Sequence, residues 1–529
     1  MSPAATVTGA RILLPVTAKM NARRIAPWIG GVSALSASSI LAYRLIFPDV
    51  TDRMPLAAAL GGNPALSLIF GPAHDLLTND GFNAWRSGAL GTFFAALMAI
   101  LTVVSTSRAD EDSGQAELLA SGVLGRQARL AVAVTLAGVA SVALGVVCFL
   151  LTLAVGGAVV PSLLLSATFT ASGWMFTGVA AVAVQLGSDA RSANSIAIGV
   201  LGICFVLRGF IDTVDAPRWA SWMTPLGWLE HVRPATDNNP SPLLASLALT
   251  VVLIGAAFML DRRRDFGAGI IPPRPGPARG GTASNVWGLA LRLNRGSLIT
   301  WVIAFAGLGV IFGYLAGSIT DLLGANKSLS GVFTANGGGT SNLTFAFLVT
   351  ILQMAGLIAA IAGVQIVNRI ILEENEFRVE PLLAGSVRRS TYLASNLAIA
   401  YLTPAICLLI AASVIGLVAA NTGIAIGDVL TQAAVTIPAV WTLIAVGAAA
   451  VGARPALRLA GWLAIIAAFG LTILGPTFKL PDWALSISPL HDVPNITASP
   501  HWTGLTIVIA VFAALTTIAF TGFRRRDIA

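Results

Sequence analysis

Two stretches of this chain set carboxylates beside a leucine pair. One reads Arg108-Ala109-Asp110-Glu111-Asp112-Ser113-Gly114-Gln115-Ala116-Glu117-Leu118-Leu119 and ends on Arg126. The other reads Glu373-Glu374-Asn375-Glu376-Phe377-Arg378-Val379-Glu380-Pro381-Leu382-Leu383 and ends on Arg388-Arg389. Carboxylates at this density could hold a divalent cation. Asp110-Glu111-Asp112 lacks the neutral turn ligands and fixed spacing of a calcium loop, so no metal site is expected. A short helix carrying acids and two leucines suits a different task, docking in the cleft of another protein. The charges would select the partner and the leucines supply buried area.

Other chemistry is thinly provided. The chain holds no GxxxxGK[ST] loop to cradle phosphates, and no HExxH, CxxC pair or GxSxG elbow. Cys148, Cys204 and Cys407 all fall in apolar runs and read as packing. His74, His231, His491 and His501 are scattered. Arg208 lies one helical turn from Asp212, near the outer end of an apolar run; other charges deep in such runs are scarce.

The elements that position the two acidic stretches are membrane spans. The chain has 529 residues, 56% hydrophobic and 11% charged, with a mean hydropathy of +0.82. Runs of about 20 or more apolar residues can cross roughly 30 Å of hydrocarbon. Twelve are placed near 27–46, 88–107, 130–158, 160–187, 193–211 and 242–260, then 297–320, 344–369, 393–420, 427–452, 456–475 and 503–522. The expected fold is therefore an all-α polytopic membrane protein of twelve transmembrane helices. Residues 1–24 are basic and the first apolar run is a full span, so no cleavable signal is expected.

The spans form two sets of six whose punctuation repeats. Pro217-Arg218-Trp219-Ala220 with Pro225-Leu226 matches Pro481-Asp482-Trp483-Ala484 with Pro489-Leu490. Arg262-Arg263-Arg264-Asp265 matches Arg524-Arg525-Arg526-Asp527, and the acidic stretches match each other. The expected division is 1–260, a Pro/Gly linker with an amphipathic connecting helix over 261–296, and 297–529. Such duplication places a working site between halves. Each Pro-Trp-Ala…Pro-Leu segment (Trp219 and Pro225, Trp483 and Pro489) is too short to cross, and reads as a re-entrant pair of short helices. Gly309, Gly313 and Gly317 form a small-residue ladder, with a weaker one at Gly30, Ala34 and Ser38; both read as packing.

Charge sets the orientation. With loops sorted by alternation, the side holding the termini carries 24 Lys and Arg against 12 Asp and Glu; the other carries 8 against 12. The positive side is cytoplasmic, so both termini are expected inside and all four histidines outside. This asymmetry, not nucleic-acid binding, accounts for the basic balance. The 29 arginines against three lysines read as a mark of high-GC bacterial coding DNA.

The glutamate-rich turn, the Glu-x-Leu-Leu-Ala segment, the arginine after it and the Pro-Leu segment before the sixth span resemble the permeases of type-2 ABC transporters, with the fold of a type V exporter. Asn63-Pro64-Ala65 and Gly71-Pro72…Asp75-Leu76…Gly81-Phe82…Ala84-Trp85 resemble the actinobacterial branch of tetronasin or polyketide-antibiotic exporters. The resemblance covers the whole chain, with both halves fused. It implies a bacterial plasma (inner) membrane permease that is not itself an enzyme and carries no cofactor. ATP and Mg would sit on a separate ABC ATPase present in two copies.

On that reading Glu111, Asp112, Glu117, Leu118, Leu119 and Arg126, with Glu374, Glu376, Glu380, Leu382, Leu383 and Arg388, would couple to the ATPase. Gln115 and Phe377 depart from the family's pattern, so the two surfaces differ. Phe94, Met98, Phe205, Gln353 and Met354 would line a path for amphipathic small-molecule cargo drawn from membrane lipid. The alternatives are an ion-coupled secondary carrier, which needs mid-membrane carboxylates, and a membrane enzyme acting on lipid-linked substrates, which needs converging acids or histidines. Neither feature is seen.

Overall fold

Apolar runs dictate helices, because in hydrocarbon every backbone N–H and C=O must find its partner within the segment. The computed structural model describes residues 7–61, 64–112, 125–213, 217, 219–264, 268–272, 281–325, 340–420, 425–474, 481–497 and 502–526. Twelve helices among them are long and apolar enough to cross a membrane, and no strand forms. They are α1 (Ala10–Ile46), α2 (Asn79–Ser105), α3 (Ala128–Ala154), α4 (Val159–Leu186), α5 (Ala190–Thr213) and α6 (Ser241–Arg263). Then follow α7 (Val286–Ala325), α8 (Thr340–Asn375), α9 (Arg389–Val418), α10 (Ile426–Ala453), α11 (Pro455–Thr472) and α12 (Trp502–Arg525). The twelve expected spans each fall on one of these helices.

The chain divides into two units, Met1–Pro275 and Gly276–Ala529. In the first, α4 is the most buried span, packed against α2, α3 and α6. In the second, α8, α9 and α10 form the centre. Small residues permit the close approaches. A Cβ on Gly309 would lie 2.8 Å from Val414, and one on Gly313 2.7 Å from Val418, so this ladder seats α7 on α9. The other ladder is not used in this way: Gly30 faces open space, and α1 instead buries Ser33, Ser36 and Ser39. Ser36 bonds Asn83 of α2, which tethers the first two spans by polar side chains.

Several elements differ from expectation. The segment expected as an amphipathic connecting helix forms the first turns of α7, with no break before the span. Nothing in Leu289-Ala290-Leu291-Arg292 or the residues after it stops a helix, so hydrogen bonding carries through. The segment after α1 holds short helices over Val50–Gly61 and Pro64–Phe70. Its ends are gathered by Arg53, which donates to the carbonyls of Phe47, Pro48 and Leu77.

The short outer helix pair forms in the first unit alone. Ala220–Met223 and Pro225–Glu230 are both helical, with Thr224 Oγ1 accepting from Gly227 N at 3.1 Å as an N-cap. In the second unit Asp482–Leu485 is helical, but Pro489 sits in a turn. There Ser488 Oγ bonds Thr472 at 2.9 Å instead of capping, and Pro494, which follows, lacks an amide to donate.

Candidate functional site

Each acidic stretch grows out of a long helix that leaves the membrane: α2 is followed by Arg108–Asp112, and α8 runs on to Asn375. In the first unit Glu111 is buried, its side chain 5% exposed, and it gathers three arginines. Arg108 reaches it at 2.6 Å and Arg129 at 3.0 Å. Arg264, at the end of α6, meets both its oxygens at 2.8 and 3.1 Å. Arg126 donates to the carbonyls of Asp261 and Arg264. Glu111 thus ties the base of its loop to the end of the sixth span.

The second unit repeats this device. Glu374, 7% exposed, receives both oxygens' bonds from one nitrogen of Arg526, at 2.6 and 2.7 Å. The Arg526 guanidinium also lies over the Phe523 ring, and Arg389 donates to the Arg526 carbonyl at 2.9 Å. Charge-assisted bonds of this length, shielded from water, are the strong class of hydrogen bond. The clamp joins residues far apart in sequence, which is why the arginine runs read as repeat landmarks with no role attached.

These contacts redraw the expected coupling surface. The Glu111 and Glu374 side chains are bonded inside the protein, so they brace the loops and do not face outward; Arg126 is exposed while it donates to the carbonyls of Asp261 and Arg264. Glu117, Leu118 and Leu119 lie outside the described residues, as does the side chain of Asp112. In the second loop Glu376, Glu380 and Arg388 are exposed; Glu376 pairs with Arg378, and Arg388 precedes the first turn of α9 without a side-chain cap bond. Leu382 and Leu383 are not offered to solvent either. They are half-buried and pack on the unit's own core, because Glu380–Leu383 is a single turn that leans on α7 and α9.

What this loop presents is Phe377, 62% exposed at a φ of +55°. Its N–H bonds the Glu374 carbonyl and that of Arg378 bonds the Glu373 carbonyl, the Schellman closure of a helix. Glycine normally holds that position, and Gly114 stands there in the first repeat. A phenylalanine in the left-handed region costs about 1 kcal/mol. The aromatic ring is therefore kept at the surface against a backbone preference.

The residues expected to line a path are dispersed. Met98 is fully buried and Phe94 packs on Trp28. Phe205 is half-buried between Phe93 and the Arg208 guanidinium. Gln353 donates to the Leu490 carbonyl at 3.0 Å, and Met354 is half-buried beside it on α8. Trp219 and Trp483 are 68% and 73% exposed, as amphipathic rings at an interface should be.

One constellation escaped the sequence. Arg208, 2% exposed, bonds Glu230 at 2.7 Å, lies 3.6 Å from Asp212, and donates to the carbonyls of Leu68 and Ile69. It staples α5 to the Pro64–Phe70 and Pro225–Glu230 helices of the first unit, over a cavity of about 80 Å³. Its one-turn spacing from Asp212 was the legible half. Where Arg208 and Glu230 stand, the second repeat has Thr472 and Pro494.

Comparison with known proteins bears on what these units serve. A family described as "Multidrug efflux system permease Rv1217c, C-terminal domain" matches residues 37–262 and 284–524. The chain is 38% identical over 510 residues to the Multidrug efflux system permease protein Rv1217c of Mycobacterium tuberculosis (strain ATCC 25618 / H37Rv), covering 93% of this chain and 90% of that one. Twelve span-length helices, two units and this likeness along nearly the whole length agree: the chain belongs to the Rv1217c family of multidrug efflux system permeases.

Proposed function

We propose that this chain is the membrane-spanning subunit of an ATP-driven exporter that moves amphipathic drugs or antibiotics, polyketide-like in character, out of a bacterial cell. It lies in the inner membrane with both termini cytoplasmic. A separate ABC ATPase, bound in two copies with its ATP and Mg, supplies the energy. The observation that carries this reading is the repeated clamp, Glu111 with Arg264 and Glu374 with Arg526. Two loops, each braced from behind by a buried ion pair, are suited to receive force from two identical partners. Membership of a permease family whose mycobacterial relative is named for multidrug efflux supports the cargo class. Native mass spectrometry of the complex tests the reading. One permease with two ATPase copies is expected; a 1:1 assembly, or a permease that exports with no ATPase bound, overturns it.

A further inference from the structure

Residues 268–272, which follow α6, lie across the end of α4. The last carbonyls of a helix find no partner within it. Here a neighbouring segment meets two of them: Ile270 N donates to the Gln185 carbonyl and Ile271 N to that of Leu186, both at 3.0 Å. Pro272 has no amide to give, so the pairing stops there. Gly269 permits the close approach, since a Cβ at that position would lie 2.3 Å from the Gly187 carbonyl oxygen. Ile270 and Ile271 are 41% and 54% exposed, so the segment buries little apolar surface and is held by its backbone. Segments held in this way open at low cost.

The same segment reaches the clamp on Glu111. Arg108, fully buried, bonds Glu111 Oε2 through Nη1 at 2.6 Å, and Arg264 bonds that oxygen through its own Nη1 at 3.1 Å. The Ala268 carbonyl accepts from both of these nitrogens, at 3.3 Å each. Two like charges are thus bridged by a carboxylate oxygen and by one backbone oxygen of the crossing segment. Arg108 Nη2 goes on to the Ser188 carbonyl at 2.6 Å, in the turn that the segment crosses. In the second repeat Ile371 stands where Arg108 does, and Glu374 is met by Arg526.

We propose that residues 268–272 are a detachable strap that positions the first acidic loop. Seated, the strap holds Arg108 and Arg264 together on Glu111. Lifted, it withdraws a carbonyl from two guanidiniums that repel each other, and the base of the loop after α2 loosens. A pull on the chain beyond Pro272 is then felt at the first loop, while the second, with Ile371 in place of Arg108, is not subject to it. As a control on coupling to an ATPase this rests on the export reading; as a control on the loop it does not.

The test uses the full chain in lipid nanodiscs. Gly269→Ala and Ile271→Pro unseat the strap in different ways, one by a Cβ against the Gly187 carbonyl and the other by loss of an amide. Ile271→Ala keeps both backbone bonds and is the control. Hydrogen exchange at the Ile270 amide reports seating: slow in wild type and Ile271→Ala, fast in the two unseating variants. Electron–electron resonance between labels at Asp112→Cys and Thr135→Cys, in a background without Cys148, Cys204 and Cys407, reports the loop. One narrow distance is expected with the strap seated and a broad distribution with it lifted. A second pair, Thr135→Cys with Val251→Cys, lies within α3 and α6 and should stay narrow throughout, which separates a loosened loop from a weakened fold. With the ATPase present, drug exported per ATP hydrolysed should fall on the order of tenfold in Gly269→Ala and Ile271→Pro, the scale of one lost charge-assisted contact. Fast exchange at Ile270 in wild type overturns the proposal, as does an unchanged narrow distance from position 112 once that amide exchanges freely. A loosened loop with export per ATP unchanged overturns the control on coupling. Export with no ATPase bound sinks the export reading and leaves the effect on the loop standing.

Discussion

One nitrogen of Arg526 bridges both carboxylate oxygens of Glu374, at 2.6 and 2.7 Å, and so fastens the last turn of the final helix to the base of the loop that leaves α8. Removing one partner of a buried pair strands the other. Glu374→Ala is expected to lower stability by about 3 kcal/mol, and Arg526→Ala by a similar amount. The double change should cost less than the two together, since neither charge is then left alone. Thermal unfolding followed by size-exclusion fluorescence supplies the cycle; additive losses would mean the pair is not coupled.

Glu117 and Glu380 occupy matching positions and, unlike Glu111 and Glu374, Glu380 is exposed. The double change Glu117→Ala with Glu380→Ala should leave the permease inserted and monodisperse while drug efflux and cargo-stimulated ATP hydrolysis drop. A lost charge-assisted contact corresponds to about 10- to 150-fold. Wild-type efflux at normal expression would show that these glutamates are solvated surface.

Phe377→Gly separates backbone from side chain. Relief of the left-handed φ should raise stability by roughly 1 kcal/mol. If the exposed ring meets the ATPase, the same variant should couple less well although it is more stable. A variant that gains stability and loses no coupling shows the ring to be idle.

His74 lies at the end of the first unit that carries Trp219, and is exposed. In a background without Cys148, Cys204 and Cys407, His74→Cys should react with an impermeant maleimide added to intact cells, and a cysteine in the 261–296 segment should not. Labelling of position 74 only after lysis would invert the topology.

The twelve spans and their duplication were legible because both follow from local pattern: length of apolar run, and the order of Pro-Trp, Glu-Leu-Leu and Arg-Arg-Arg marks. What side chains do across an element was not. Leu382 and Leu383 look alike whether they serve a partner or the home core, and only the packing of Glu380–Leu383 decides. The arginine runs, read as marks of the repeat, supply Arg264 and Arg526, whose partners lie in another part of the chain. The asymmetry of the outer helices was written in Pro494 and Ser488, but it became readable only once Thr472 was seen beside them.

The clamp also fixes a lever. The 24 residues of α12 rise about 36 Å. At its outer end Gly504 lies so close to Asp492 that a Cβ would come within 2.9 Å of its carbonyl oxygen. The same helix is thus held at one end by the loop that leaves α8 and pressed at the other against the turn that follows Trp483 and Pro489. A rigid rod of that length, tilted by about 5°, shifts its far end by roughly 3 Å. Because α12 also packs backbone to backbone on α10 at Gly452 and Gly522, a displacement of Glu374 would reach the far end of α12 through that helix pair moving together.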